Sequence, residues 1–488
     1  ILATGGDTAE AEKLLAVQSD YIRCRFDCSD FYLVYYPYIL RTFGKRGSGI
    51  LSEKTENELT DCLLGFRYWI DEPGNDAMWF WSENHALMFH TCQLLAGELF
   101  PDEVFTNSGL TGRQMQAKAK NMLYDWFVTF RKEGFTEWNS SPYLPIDTLG
   151  FGSLYAFAQD PAMRELGREG MDFAYYLLAV HSQQGIFASS SGRTYIKEQF
   201  GNWSNCPSGL SWIGYGYGVP GHAGKGITSY CLSDYEPPKE FAQWFSIPRG
   251  KEMICQTTQG NDGYVDLYTY KTADYMMTSA NDFHPGEPGH QENPFQLTFN
   301  AVAQLWVTHP GERVLFGAAR PSYWAGNGTL PKVNQYKAFA GLIYDIAPEH
   351  PVNFTHLYLP SMEFDRCEVE GKWAFVQLGS AYAAVYCSNG MRMQDFGSNK
   401  DRECIAEGRR CIWLVRAAQA DEFAAFEDFK AAMRGAALDA DAEGRRYRFV
   451  DPIYGELRCQ WNETLYVNNA SMQYSGFDNY GKLTMQEK

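Results

Sequence analysis

The apolar pattern of this chain changes period part-way along, and that change limits the fold more than any single motif. Over residues 9–26, 55–70, 84–99, 111–131, 147–159 and 162–181, apolar side chains recur at helical spacing, which places them on one face of an α-helix. The connectors carry turn residues, as in Asp71-Glu-Pro-Gly-Asn75 and Gly134, and Ser82 stands where a helix N-cap is wanted. From about residue 240 the signal is β: 263–270 and 373–378 alternate, 381–386 follows after a short turn and 411–415 is a further strand, with a helix at about 422–435. Alternation is the signature of strands with one buried face. Residues 192–239 are rich in Gly and aromatics and read as loop. The order predicts an array of α/α hairpins followed by an antiparallel β domain, divided as residues 1–235 and 236–488.

Composition removes several classes. With 488 residues, two domains are expected. Acidic residues outnumber basic ones 59 to 42, for a net charge of −17. No Lys/Arg run exists to track a phosphate backbone, which argues against nucleic acid. No apolar stretch reaches the roughly 18 residues of a membrane helix. The twelve cysteines are scattered singly, without a CxxC pair at zinc spacing, and read as free thiols. Asn-x-Ser/Thr triplets at Asn139, Asn202, Asn327, Asn353, Asn462 and Asn469 matter only in a eukaryotic secretory pathway. The chain opens at Ile1 without a signal-peptide pattern, which reads as a processed or shortened form. The compartment stays open between cytoplasm and a periplasmic or secreted location. There is no GxSxG elbow, Walker loop or dinucleotide fingerprint after a strand.

Aromatics make up 16 % of the chain: 32 Phe, 31 Tyr and 13 Trp. They fill either a core or the walls of a cleft on which sugar rings stack. Four constellations carry polar chemistry beside them. In Trp79-Phe-Trp-Ser-Glu-Asn-His85, Glu83, Asn84 and His85 open a helix behind Trp81. A helix start favours an anion, and histidine carries protons near neutral pH. The segment Phe135-Thr-Glu-Trp-Asn-Ser-Ser-Pro-Tyr143 offers Glu137, Trp138 and Asn139 as binding groups and Tyr143 as a base. In Ser189-Ser-Ser-Gly-Arg-Thr-Tyr195, Arg193 suits a carboxylate. Tyr195, two residues on, falls on the same side of an extended chain. The fourth runs from Asp282 to Asn293 with His284 and His290, preceded by His222 in the Gly-rich stretch. No cofactor is expected; zinc or calcium near His284 and His290 is the one metal option. The plain alternatives are a helix cap for the first segment, a polar interhelix loop for the second and a structural ion pair for Arg193.

The order of these features resembles the heparinase II/III-like polysaccharide lyases, built as an (α/α) toroid followed by a β-sandwich. Asn84-His85 resembles the family's Asn-His pair, and Glu137 through Tyr143 its Glu…Ser…Tyr loop. Gly286 through Phe295 and Thr308-His-Pro-Gly311 resemble the opening of its β domain. The likeness spans roughly residues 20–429. One departure is that the β half lacks a His-x-His-x-x-Asp-type metal signature. The resemblance implies an incomplete toroid of helical hairpins plus an antiparallel sandwich, and a lyase that cleaves a uronate-linked glycosidic bond. Its substrate would be an anionic polysaccharide or oligosaccharide. Asn84 with His85 or Arg193 would stabilise the carboxylate charge. Tyr143 or Tyr195 would take the proton, and His85, His222 or His290 would give one to the leaving oxygen. Two further readings stand beside it. One is a hydrolase using Glu83 with Glu137, or Glu137 with Asp147, set about 5–9.5 Å apart. The other is a non-catalytic sugar-binding protein. The acidic net charge repels a polyanion at long range, so steering falls to residues such as Arg193 and Lys197 and favours a short substrate.

Overall fold

The computed structural model describes residues 1–76, 78–199, 205–220, 225–261 and 264–488. A helical N-terminal region is followed by antiparallel sheets. The helices are α1 (Thr8–Arg23), α2 (Asp30–Leu33), α3 (Tyr36–Phe43), α4 (Glu53–Gly65), α5 (Glu83–Leu99), α6 (Gly112–Glu133), α7 (Leu144–Phe157) and α8 (Pro161–Val180). Next come α9 (Ile196–Gln199), α10 (Cys206–Tyr215), α11 (Ile227–Cys231), α12 (Ala242–Phe245) and, among the strands, α13 (Phe426–Gly435).

The Gly-rich stretch is therefore not all loop. Its helix α10 starts with Pro207 in the first turn and ends at Gly216 in the left-handed region, start and stop signals that outweigh its glycines. Strand 265–271 covers the described part of the alternating run at 263–270, since residues 262–263 lie outside the described set.

Contacts divide the chain into two compact units that interleave along the sequence. The first holds residues 1–131, 143–174 and 224–237; the second holds 132–142, 175–223 and 238–488. In the first unit α5 packs on α7, α2 and α3, α1 packs on α4, and α11 packs on α7. Helices α5 and α7 are buried on nearly every face, so they form its centre. They approach so closely that a Cβ on Gly150 would stand 2.8 Å from the Leu87 side chain.

The second unit is a β-sandwich. Its larger sheet has nine strands, all neighbours antiparallel, in the spatial order 392–393, 403–407, 354–358, 304–308, 295–298, 276–281, 265–271, 251–259 and 482–487. The six-stranded sheet runs 332–336, 339–345, 410–419, 381–387, 373–378 and 366–370, and a five-stranded sheet spans 438–471. One continuous apolar core joins the inner faces, with Tyr270, Met277, Leu297 and Leu305 from the first sheet and Leu342, Val385 and Val415 from the second. Burial of this kind stabilises by about 25 cal/mol per Å² of apolar surface.

One lysine is sealed in this unit with carbonyls and no acid as its hydrogen-bond partners. Lys271 is fully buried, and its Nζ donates to the carbonyls of Ala179, at 3.0 Å, and Trp244. Burial lowers its pKa from 10.5 to about 7. Between those two values the unfolded chain binds more protons than the folded one, so stability rises with pH across that window and is flat below it. Chemical denaturation of the wild type and Lys271→Met from pH 7 to 10 is expected to show the wild type gaining on the variant, by roughly 3–4 kcal/mol at 1.36 kcal/mol per unit. A pH-independent difference would mean that the ammonium keeps its charge throughout.

Candidate functional site

Three separate stretches converge in the sheet-bearing unit. Residues 187–191 run along the larger sheet, and the chain bends at Gly192 and Arg193 before reaching Tyr195. Ser191 and Asn293 exchange backbone hydrogen bonds at 2.9 and 2.7 Å, and Thr194 N–H donates to the Gln291 carbonyl. Side chains complete the seam. Thr298 Oγ1 donates to the Ala188 carbonyl at 2.7 Å, Ser190 N–H donates to Thr278 Oγ1 at 2.7 Å, and Gln291 Nε2 donates to the Thr194 carbonyl at 2.7 Å. The loop at 137–141 is stitched to the same segment. Gly192 N–H donates to the Trp138 carbonyl at 2.8 Å, Ser140 Oγ to the Arg193 carbonyl at 3.0 Å and Asn139 Nδ2 to the Ser190 carbonyl at 3.3 Å.

This stitching brings Glu137, Arg193, Tyr195 and His290 to one place. Arg193 Nη1 lies 3.4 Å from Glu137 Oε1, and Arg193 Nη2 donates to the Tyr195 hydroxyl at 3.3 Å. The two side chains meet although the backbone bends at Gly192 and Arg193 and does not continue as a strand. A second guanidinium, Arg320, sits 5.6 Å from the centre of the Tyr195 ring, against 5.7 Å for Arg193. Its carbonyl lies 3.2 Å from Nδ1 of the exposed His290 side chain, and the backbone N–H of His290 donates to Glu292 Oε2. Glu292 lies in the His-containing segment that the sequence singles out, whereas Arg320 carries no sequence signal of its own and only the fold brings it here.

Two predicted sugar-binding residues have different surroundings. Trp138 is 1 % exposed and packs among Val265, Leu267, Ala280, Phe283 and Leu330. Its ring is core, and it offers no face to a ligand. Asn139 is buried with φ 48°, a left-handed loop position that asparagine tolerates.

The remaining predicted residues lie in the helical unit, save His222, which falls outside the described residues. Trp81 is 64 % exposed, with Trp79 5.2 Å away in an edge arrangement. Glu83 stands in the first turn of α5, and its carbonyl accepts from Trp126 Nε1. Ser82 occupies the N-cap, but its hydroxyl makes no capping bond. Asn84 is buried, and Tyr143 is half-buried at the N-cap of α7.

His85 is gripped from several sides. Its Nδ1 meets Asp30 Oδ2 at 2.8 Å, and its ring stacks on Phe31 with centroids 4.7 Å apart. Burial alone would lower its pKa, but the bonds and charges of Asp30 and Cys28 together push it up to about 10. Asp30 is itself fully buried, and that burial raises its carboxyl while His85 pulls it back. Nothing in the sequence marks Asp30 as the partner of a residue 55 positions away.

Among the described residues Asp27, Cys28 and His85 have the donor atoms to hold a metal ion. His284 faces Glu287 at 3.5 Å and the Tyr264 ring, and neither it nor His290 joins a group of three such donors.

Neither a family model nor a curated protein sequence matches the chain. Among solved structures, a crystal structure of heparinase III aligns with TM-score 0.39 and 8 % identity over 94 % of this chain and 74 % of that one. A second heparinase III structure aligns with TM-score 0.38 and 10 % identity, over 93 % and 74 %. Likeness this distant leaves the functional reading to the residues themselves.

Two outcomes follow from this geometry. A Cβ on Gly192 would lie 2.5 Å from Trp138 Nε1. Gly192→Ala is therefore expected to cost about 1–3 kcal/mol in chemical denaturation, with an altered tryptophan emission as the loop shifts. His85→Ala strands the buried Asp30 carboxyl and is expected to cost about 3–5 kcal/mol. A loss below about 1 kcal/mol would show that the pair adds little to folding.

Proposed function

We propose that the chain is a carbohydrate-active enzyme that cleaves a uronate-linked glycosidic bond by β-elimination. The observation that carries this reading is the Tyr195 hydroxyl held by the Arg193 guanidinium, with a second guanidinium, Arg320, beside the same ring. Elimination removes the weakly acidic C5 proton of a uronate and builds negative charge on its carboxylate. Paired guanidinium groups suit that charge through forked hydrogen bonds. Positive charge next to a phenol favours its ionised form, which is the form that accepts a proton.

In this reading Arg193 and Arg320 receive the carboxylate and Tyr195 takes the C5 proton. The exposed imidazole of His290, tied to Arg320, returns a proton to the leaving glycosidic oxygen. Glu137 holds the other arm of Arg193 in place. All of these residues belong to the sheet-bearing unit. A carboxylate paired with a guanidinium is favoured in its ionised form and is a poor acid, which speaks for elimination over a hydrolysis that would employ Glu137.

The test is a screen of uronate polysaccharides and their oligomers for the near-ultraviolet absorbance of an unsaturated product. Tyr195→Phe is expected to lower kcat about 10²–10⁴-fold, and Arg193→Lys to raise KM as well. New reducing ends released without the absorbance would instead establish a hydrolase.

A further inference from the structure

The loop between α1 and α2 is built more tightly than a connector needs. Arg25 anchors it, with Nη2 donating to the Gly65 carbonyl at 3.1 Å and to Asn107 Oδ1 at 2.8 Å, and Nη1 to Asp76 Oδ2 at 3.1 Å. Asp27 Oδ1 accepts from the backbone N–H of Cys28 at 3.1 Å and of Trp79 at 3.4 Å. Cys28 itself has φ 68°, a left-handed conformation that a side chain bearing Cβ adopts only when its surroundings impose it. The result is that one carboxylate oxygen, one thiol sulfur and one imidazole nitrogen all lie within 4.8 Å of one another.

We infer that Asp27, Cys28 and His85 form a binding site for a single divalent cation of the zinc class. Three features support it besides proximity. The donor set is one sulfur, one nitrogen and one oxygen, which suits zinc or cobalt(II) and not calcium or magnesium. The far nitrogen of His85 is fixed by Asp30 at 2.8 Å, and metal-binding histidines are almost always oriented in this way by a carboxylate or carbonyl. The spacing is close to what a tetrahedral ion needs. Bonds of about 2.0–2.3 Å put neighbouring donors roughly 3.3–3.8 Å apart, and His85 Nε2 stands 4.0 Å from Asp27 Oδ1.

A carboxylate and a thiolate neutralise the ion's two charges, and loading releases the protons of the Cys28 thiol and of His85 Nε2. Three protein donors leave a fourth position for water or a ligand. Cys28 and Phe31 both line a cavity of about 860 Å³ within the helical unit, walled by Tyr21, Tyr32, Tyr35 and Tyr38. Through Cys28 the ion therefore borders an apolar chamber of aliphatic and aromatic side chains. None of its three ligands takes part in the elimination chemistry proposed above.

Cobalt(II) titration of the full chain, after treatment with a chelator, tests it. One equivalent is expected to bind and to give a thiolate-to-cobalt charge-transfer band in the near ultraviolet. Cys28→Ser is expected to abolish that band, while Cys24→Ser and Cys231→Ser keep it. Asp30→Asn, which touches no metal, is expected to weaken binding about 10–100-fold. A wild type that gives no band, or a Cys28→Ser protein that keeps it, overturns the inference. Cys28→Ser is nearly isosteric and leaves the Asp30–His85 pair intact, so the result does not depend on the folding of a His85 variant.

Discussion

The arrangement of the sheet-bearing unit depends on one requirement: a stretch outside regular helix and strand, residues 187–195, must satisfy its largely buried backbone polar groups. It does so by pairing with residues 291–293 and by borrowing side-chain donors and acceptors from Thr278, Gln291 and Thr298. Once that seam is fixed, few options remain for its neighbours. Gly192 has no room for a side chain because the Trp138 indole occupies the space. The loop at 137–141 must close over it, and Arg193 and Tyr195 emerge side by side next to Glu137. The chemistry of the site is a by-product of how a buried segment is kept from being unsatisfied.

Much of the architecture was legible in the sequence. Long segments with one dominant period have little choice, and helices at 8–23, 83–99, 112–133, 144–157 and 161–180 follow the periodicity within a few residues, while the one expected at 55–70 stops at Gly65. The strand at 373–378 does so without any shift. The failures share a cause. Helices α2 and α3 are too short for a period to declare itself, and α10 is written in Gly and aromatic residues, whose meaning depends on cap positions and not on average propensity. Trp138 looked like a cleft residue because polar neighbours flank it, yet sequence neighbours do not decide burial.

The histidines make the same point in electrostatic terms. His90, His181 and His309 are each pushed down to about 3 by burial, whereas His85, also buried, goes up to about 10. The difference is what faces the ring: Asp30 and Cys28 both raise His85, and they outweigh the burial that disfavours its imidazolium. Asp30 is 55 positions before its partner, so no local motif could have separated the one case from the other three. Arg320 is more remote still from Tyr195 in sequence, and it too was invisible before the fold was known.

The strand at 482–487 pairs with residues 251–256 and closes one side of the nine-stranded sheet. That pairing joins parts of the chain made some 230 residues apart. While a ribosome synthesises this protein, the N–H and C=O groups of residues 251–256 must wait for a partner until nearly all of the sandwich has emerged. An uncovered strand is a template for other chains, and long-range pairings of this kind form slowly. The strand at 251–259 therefore spends part of synthesis with one edge open, and residues 482–487 are the cover that closes it.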